Sequence, residues 1–554
     1  MTTRLALSSI ALSISLLACG GDADIPVAPD AGTPVDPGNP DPIPPDAAMP
    51  DSPAEPAPYE LSVSMPKLPI LAGSTETLEV SVTRHDSFTG EIAIRIANLP
   101  AGVTADPAVI AADATTTSVT VSASTAPHSL PTVVDVVGTS GSYRATTNAT
   151  ITIYGPPGSV DTSFGNVILP VGISDDYAYA TAIQADGKVL LAGRVAEAGG
   201  KFAIVRLTRD GELDSTFGGT GKVTTYVGFG GTIHGLAIQP DGKIVAVGSA
   251  TRTGGGYVFI VVRYMPDGSV DSTFGANGTA SAMFGLDTDT AYAVVLQPDG
   301  KIVVGGDSNR GSSSTGVDFA LARFNPDGSL DSTFGNRGLV VTALGAGDSR
   351  DSIYGLALQT IEGETRIVAV GGEGDFGIAR YHANGTLDTT FNGTGKLRNP
   401  YGSNIGAARA VAVTPQNELV IAGQIGHQFA VAKLSQAGQV DPTFGMRRTQ
   451  VTPSSWNEGQ AIALDGDKIL VAGWAYEFNS SSGNFAIVRY NANGELDPTF
   501  AGGKVITPVA AGTKPDQATS MALQIDERVP TVRAVVGGFA STSNSDFAVA
   551  RYWR

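Results

Sequence analysis

Residues 323–335 read RFNPDGSLDSTFG. Pro326 fixes φ near −65°, which a type I turn accepts and a type I′ hairpin does not. Gly328 then supplies the left-handed position of a three-residue loop with a bulge. Counting outward from the turn, Asn325 pairs with Ser329, Phe324 with Leu330, and Arg323 with Asp331. Directly opposed residues share a face of a hairpin. The count therefore predicts Phe324 and Leu330 packed on one face and Arg323 against Asp331 on the other.

Near-copies of this stretch run from Val160 to the C-terminus. The motif Asp-x-(Ser/Thr)-Phe starts at Asp161, Asp214, Asp271, Asp331, Asp388, Asp441 and Asp497, at spacings of 53, 57, 60, 57, 53 and 56 residues. A strand ending in a cation precedes all but the first, and the same count pairs Arg206 with Asp214, Arg263 with Asp271, Arg380 with Asp388, Lys433 with Asp441 and Arg489 with Asp497. A seventh such strand, FAVARY, carries Arg551 and has no motif after it. A second hairpin recurs as AIQADGKVLLAG, AIQPDGKIVAVG and VLQPDGKIVVGG and then decays. Each copy offers about four short strands, and none has a helical period. A unit of this size cannot bury its own faces, so copies must stack, and radial closure protects their edges. The first copy lacks its arginine strand and the last lacks its motif. A closed seven-bladed ring joins the two halves, pairing Arg551 with Asp161 and setting Phe164 where Phe334 stands in its own copy.

The basic residue occupies the place that a calcium loop needs for an oxygen ligand, and a guanidinium holds a carboxylate without a metal. The repeated pairs therefore read as structural ion pairs. An element present seven times is a fold element before it is a catalytic one, and neither a metal nor a cofactor is expected. GDFGIAR around Asp375 is the arginine strand again, and the five histidines (His85, His128, His234, His382, His427) lack ligand spacing.

On these motifs, residues 159–554 resemble the delta-60 repeat family, β-propeller repeats of deltaproteobacterial surface and secreted proteins. The resemblance implies a propeller fold and no activity, since that family has no established shared chemistry.

The preceding chain divides cleanly. Residues 59–154 carry period-two runs such as Leu78/Val80/Val82 and Ile92/Ile94/Ile96, which predict half-buried strands and a β-sandwich. Its stretch NLPAGVTADPAVI is similar to bacterial immunoglobulin-like modules. Residues 20–58 hold twelve prolines, eight acidic residues and no lysine or arginine, so the segment 19–58 reads as an extended tether. Residues 1–18, which pair Arg4 with an apolar run too short to span a bilayer, read as a lipoprotein signal peptide. Leu16-Leu17-Ala18-Cys19-Gly20 then resembles the lipobox of bacterial lipoproteins, which implies lipidation of Cys19, the only cysteine. Gly20 in place of an aspartate leans toward the outer membrane, periplasmic or surface-exposed.

A net charge of −18 and a pI near 4.7 argue against nucleic acid. The expected function is a monomeric, non-enzymatic binding or scaffolding module for a glycan or protein, with loops such as VAEAGGK and ATRTGGGYV as candidate contacts. The alternative is a glycan-acting enzyme, which would need a Tyr/Arg set or a few non-repeated carboxylates converging on the central face, with Asp175, Asp176, Asp287, Asp289, Asp348 and Asp351 as the candidate carboxylates.

Overall fold

The computed structural model describes residues 57–125, 131–285, 288–309, 316–345, 350–372, 374, 376–400, 406–453, 456–476, 483–510, 515–526 and 532–554. Cys19, the signal segment and the tether up to residue 56 lie outside them, as do His128, Asp287, Asp348 and Asp375. The described chain is all-β apart from two 3-10 turns, Glu197–Gly199 and Ala501–Gly503.

The N-terminal part is a pair of sheets. One orders its strands Tyr59–Val63, Thr75–Arg84, Thr116–Ala123, Val103–Ala105; the other orders Lys67–Leu71, Tyr143–Tyr154, Thr132–Ser140, Ile92–Ala97, Ala108–Ile110. The alternation turns Leu78, Val80, Ile92, Ile94, Val119, Val121, Val134 and Ile151 inward, and together they make one dry core. Lys67–Leu71 leaves the first sheet and pairs in parallel with Tyr143–Tyr154. The Tyr59 hydroxyl ties the layers by donating to Gly138 O at 3.0 Å.

From Asn166 on, the described residues form seven four-stranded antiparallel sheets. Sheet 1 is Asp176–Ile183, Val189–Val195, Lys201–Leu207, Lys222–Thr225, and sheet 2 is Gly231–Ile238, Ile244–Thr251, Tyr257–Tyr264, Thr279–Ala282. Sheet 3 is Asp289–Leu296, Ile302–Asn309, Val317–Phe324, Leu339–Thr342, and sheet 4 is Ile353–Ile361, Glu364–Gly371, Gly377–His382, Lys396–Arg398. Sheet 5 is Gly406–Val413, Leu419–Ile425, Gln428–Leu434, Met446–Thr449, and sheet 6 is Asn457–Asp465, Lys468–Tyr476, Gly483–Tyr490, Lys504–Thr507. Sheet 7 takes Gln517–Gln524, Arg533–Ser541 and Ser545–Trp553 from the C-terminus and Asn166–Leu169 from the start of the region. Leu169 pairs with Phe547 and Val167 with Val549.

The second and third strands of each sheet are apolar on both faces, because both faces are covered. The buried residues therefore collect between sheets. Val245, Val247 and Phe259 of sheet 2 pack on Ile302, Val304 and Ala322 of sheet 3. The same arrangement recurs between each pair of neighbours, and Phe547 and Val549 of sheet 7 pack on Val189 and Leu191 of sheet 1.

The quoted stretch sits at one of these seams. Phe324 bridges Leu330, as the turn count requires. Phe324 is fully buried, whereas Leu330 stays 36% exposed over Gly338 at the solvent-facing end of the hairpin. Gly328 has φ +89°, and a Cβ there would lie 2.7 Å from Gly275 N and 3.0 Å from the Phe274 ring of sheet 2. Its glycine is thus required twice, by the turn and by close approach to the preceding sheet.

Candidate functional site

The structure brings each repeated cation to its aspartate. Nε lies 2.8 Å from the carboxylate in Arg206–Asp214, Arg263–Asp271 and Arg380–Asp388, 2.8 Å in Arg323–Asp331 and 3.0 Å in Arg489–Asp497. Arg551 Nε reaches Asp161 at 2.8 Å, and both are fully buried. In sheet 5 the Lys433–Asp441 separation is 3.9 Å, and Lys433 instead contacts Glu418 at 2.7 Å.

Each pair belongs to a larger joint. The Thr333 hydroxyl donates to Asp331 Oδ1 at 2.7 Å, and the Arg323 guanidinium stands 4.6 Å over the Phe334 ring. A second cation, which the turn count does not anticipate, comes from the second strand: Lys188 lies 3.2 Å from Asp214, Lys301 3.2 Å from Asp331, and Arg366 3.1 Å from Asp388. The lysine of each DGK hairpin was the signal for it. The arginine also crosses the seam: Arg263 Nη1 donates to Pro326 O of the next sheet at 2.5 Å, and Arg551 Nη1 donates to Arg209 O of sheet 1 at 2.6 Å. Burial raises the Asp214 carboxyl, but bonds from Thr216 and Lys188 and the charge of Arg206 outweigh it and bring the pKa to about 2. The Thr273 hydroxyl leads a similar set that brings Asp271 to about 2. Burial, with Arg533 alongside, lowers Arg551 to about 10 against the pull of Asp161. These chemically engaged residues form the fold's joints.

A different set faces the ring centre. The first strand of every sheet carries a β-bulge, between Ala178 and Ala180, Ile233 and Gly235, Ala291 and Ala293, Ile353 and Gly355, Ala408 and Ala410, Gly459 and Ala461, and Ala518 and Ser520. A bulge leaves one residue unpaired and re-aims its side chain. The seven residues so released are Tyr179, His234, Tyr292, Tyr354, Arg409, Gln460 and Thr519, and all seven line one cavity of about 380 Å³.

They touch in sequence around that cavity. Ring centroids are 5.1 Å apart for Tyr179–His234, 5.1 Å for His234–Tyr292 and 5.2 Å for Tyr292–Tyr354. The Arg409 guanidinium lies 4.3 Å over Tyr354 and 4.0 Å from Glu458. Gln460 donates to Glu458 at 2.7 Å, and Thr519 donates to Ala178 O at 2.9 Å. Tyr177, Trp474 and Phe539 stand with them, Tyr177 edge-on to Phe539 at 4.9 Å. Burial, with Arg194 adding, pushes the His234 imidazole down to about 4, so it is neutral at physiological pH.

Each bulge explains a glycine. Across the ladder stand Gly193, Gly248, Gly306, Gly371, Gly423, Gly473 and Gly538. A Cβ at Gly306 would fall 1.9 Å from Thr290 O, and the others are equally tight. The glycine that ends the second repeated hairpin therefore marks the bulge.

The candidate carboxylates have other work. Asp176 Oδ2 accepts from Val171 N and Gly172 N at 2.8 Å, Asp289 from Phe284 N at 2.9 Å, and Asp351 from Leu344 N at 3.2 Å. Asp516 and Asn457 do the same in sheets 7 and 6. All five stand two residues before the bulge, at the start of the first strand. They are a repeated feature that ties each incoming connection to its sheet. Asp175 accepts from Ser545 N at 2.8 Å. Burial, chiefly, raises Asp307 to about 6; its carboxylate accepts from Ser352 Oγ at 2.7 Å. A larger cleft of about 710 Å³ opens between the turns of sheets 3 and 4, but its Arg366 is already held by Asp388 and Glu364.

No curated protein matches the chain. Residues 184–217, 239–274, 297–334, 363–391 and 467–500 match the model of a family described as a domain of unknown function (DUF5122) beta-propeller. The matched stretches run from the turn between the first two strands to the motif phenylalanine in sheets 1, 2, 3, 4 and 6. Sheet 5, with Glu418 and Lys433 at the cation positions, and sheet 7, built from both ends of the region, fall outside them. The chain thus carries β-propeller repeats similar to those of this family.

Proposed function

We propose that the chain is a lipid-anchored protein of the cell envelope. In this reading an immunoglobulin-like sandwich and a proline-rich tether carry a closed seven-bladed propeller of delta-60-type repeats, held at the membrane through Cys19. The propeller is a non-enzymatic binding module, and its ligand, a glycan or a protein surface, engages the ring centre. One observation carries this. Seven bulges each spend a backbone irregularity to aim one side chain at a common cavity. Aromatic walls with a few polar groups are the usual make-up of a ligand site.

Two measurements test the reading. Cys19→Ser should release the protein from the membrane fraction. A glycan array and a pull-down from envelope extract should both be run with the wild type and with Tyr292→Ala/Tyr354→Ala. Binding that survives the double substitution moves the site away from the ring centre. Release of a shortened saccharide would replace the binding module by a glycan-acting enzyme.

A further inference from the structure

We infer that the ring centre takes an acidic sugar, with Arg409 receiving its carboxylate. The inference rests on the reading of the cavity as a glycan site and names the chemical class of glycan. It begins from a contrast between two uses of arginine. The joint arginines each face a carboxylate directly: Arg323 reaches Asp331 at 2.8 Å and Gln297 at 3.2 Å as well as the next sheet, and even Arg206 and Arg489, whose Nε atoms lack a well-aligned hydrogen bond, lie 2.8 Å and 3.0 Å from their aspartates. Arg409 and Arg194 are held by ring faces instead, over Tyr354 at 4.3 Å and Tyr177 at 5.1 Å. The Nε atoms of both are buried and have no hydrogen-bond partner among the described residues.

Glu458 does not neutralise Arg409 by a direct bond. Its two oxygens accept from Trp456 Nε1 at 3.0 Å and Gln460 Nε2 at 2.7 Å, which leaves the guanidinium 4.0 Å away. A buried donor without a partner costs about 1–3 kcal/mol, so a ligand that supplies the acceptor gains what the free protein forgoes. A guanidinium offers its N–H groups as a planar fork, the geometry that takes a carboxylate in two parallel bonds. In a chain of net charge −18, a cation lining the central cavity stands out.

The backbone separates a sugar from an acidic peptide. An extended peptide binds a sheet by adding a strand along a regular edge. Here every innermost edge is interrupted by a bulge, which breaks that run of N–H and C=O groups. Tyrosine faces, by contrast, suit the C–H face of a pyranose.

The test is isothermal titration of the intact chain. The probes are tetragalacturonate, a hyaluronan tetrasaccharide and a mannuronate tetrasaccharide, each beside its carboxyl-reduced neutral counterpart, with hexaglutamate as the peptide control. At least one acidic saccharide should bind about tenfold or more tighter than its reduced form, the worth of one charge-assisted hydrogen bond. Arg409→Gln should remove that preference while melting like the wild type. Equal affinity for acidic and reduced forms would overturn the inference and leave a neutral glycan reading standing. Hexaglutamate binding as tightly as the best saccharide would overturn the sugar assignment. No binding by any saccharide would overturn both.

Discussion

Sheets 3 and 7 hold the same joint by opposite routes. In sheet 3 Arg323 and Asp331 sit eight residues apart on one hairpin. In sheet 7 Arg551 and Asp161 make the same 2.8 Å contact across 390 residues. The surroundings match as well: Phe334 lies 4.6 Å under one guanidinium and Phe164 4.4 Å under the other. The seam pair is the more enclosed, with both partners at 0% exposure against 4% for Arg323 and Asp331. Local chemistry is thus indifferent to connectivity, while the consequence of losing it is not. A broken hairpin pair loosens one sheet; a broken seam pair opens a closed array of sheets.

Removing residues 547–554 should break the comparison most severely, since it deletes the strand that pairs with Val167 and Leu169. Thermal melting should lose its cooperative transition. A deletion that melts like the intact chain would show that the seam carries no stability.

Acid attacks several of the joints together. Asp214 and Asp271 have folded-state pKa values near 2, below the value of about 3.9 in an unfolded chain. Their stabilisation is therefore complete above about pH 4 and is lost as pH falls toward 2. Urea midpoints measured from pH 6 to pH 2 should fall in that window. A flat profile would show the carboxylates to be unpaired.

Single substitutions then separate the two routes. Arg323→Ala leaves a buried Asp331 with Lys301 as its remaining cation beside the Thr333 hydrogen bonds, and about 3–5 kcal/mol is expected. Arg551→Ala should cost at least as much and should also expose the Asn166–Leu169 strand to hydrogen exchange, which Arg323→Ala should not. Equal exchange in both variants would contradict the distinction.

Gly306→Ala probes the bulges rather than the joints. Its Cβ would meet Thr290 O at 1.9 Å, and about 1–3 kcal/mol is expected. Lys433→Ala should matter least, about 0–1 kcal/mol, because that pair is partly exposed and 3.9 Å apart. A cost in chemical denaturation as large as that of Arg323→Ala would mean that sheet 5 depends on Lys433 after all.

The joints were legible in the sequence because a turn with a fixed proline and glycine determines which residues oppose each other. Arg323 and Asp331 follow from counting. The partner Lys301 was visible in each DGK turn, but its contact depends on how the second strand lies over the third, which the turn does not determine. The ring centre was not legible for a different reason. A bulge is a mismatch of register, two residues against one, and it leaves no mark on the residue it releases. Tyr179, His234, Arg409 and Thr519 share no chemistry. The mark falls on the opposite strand, at Gly193, Gly248, Gly423 and Gly538, where the carbonyl of the bulged strand leaves no room for a side chain. Asp176, Asp289 and Asp351 read as non-repeated carboxylates in the sequence because the connections before them differ in length, which hides that they hold one equivalent position.

The bulge and its glycine also separate two things that most proteins entangle. Because the backbone mismatch aims the released side chain, unlike residue types can stand there on the same ladder, and the seven copies already use five. The cavity is thus written one letter per repeat. A lineage could change what this centre recognises by single-codon steps, each reversible and each sparing the fold. In an engineer's hands the same seven positions form a ready-made library, with the glycines held fixed as its frame.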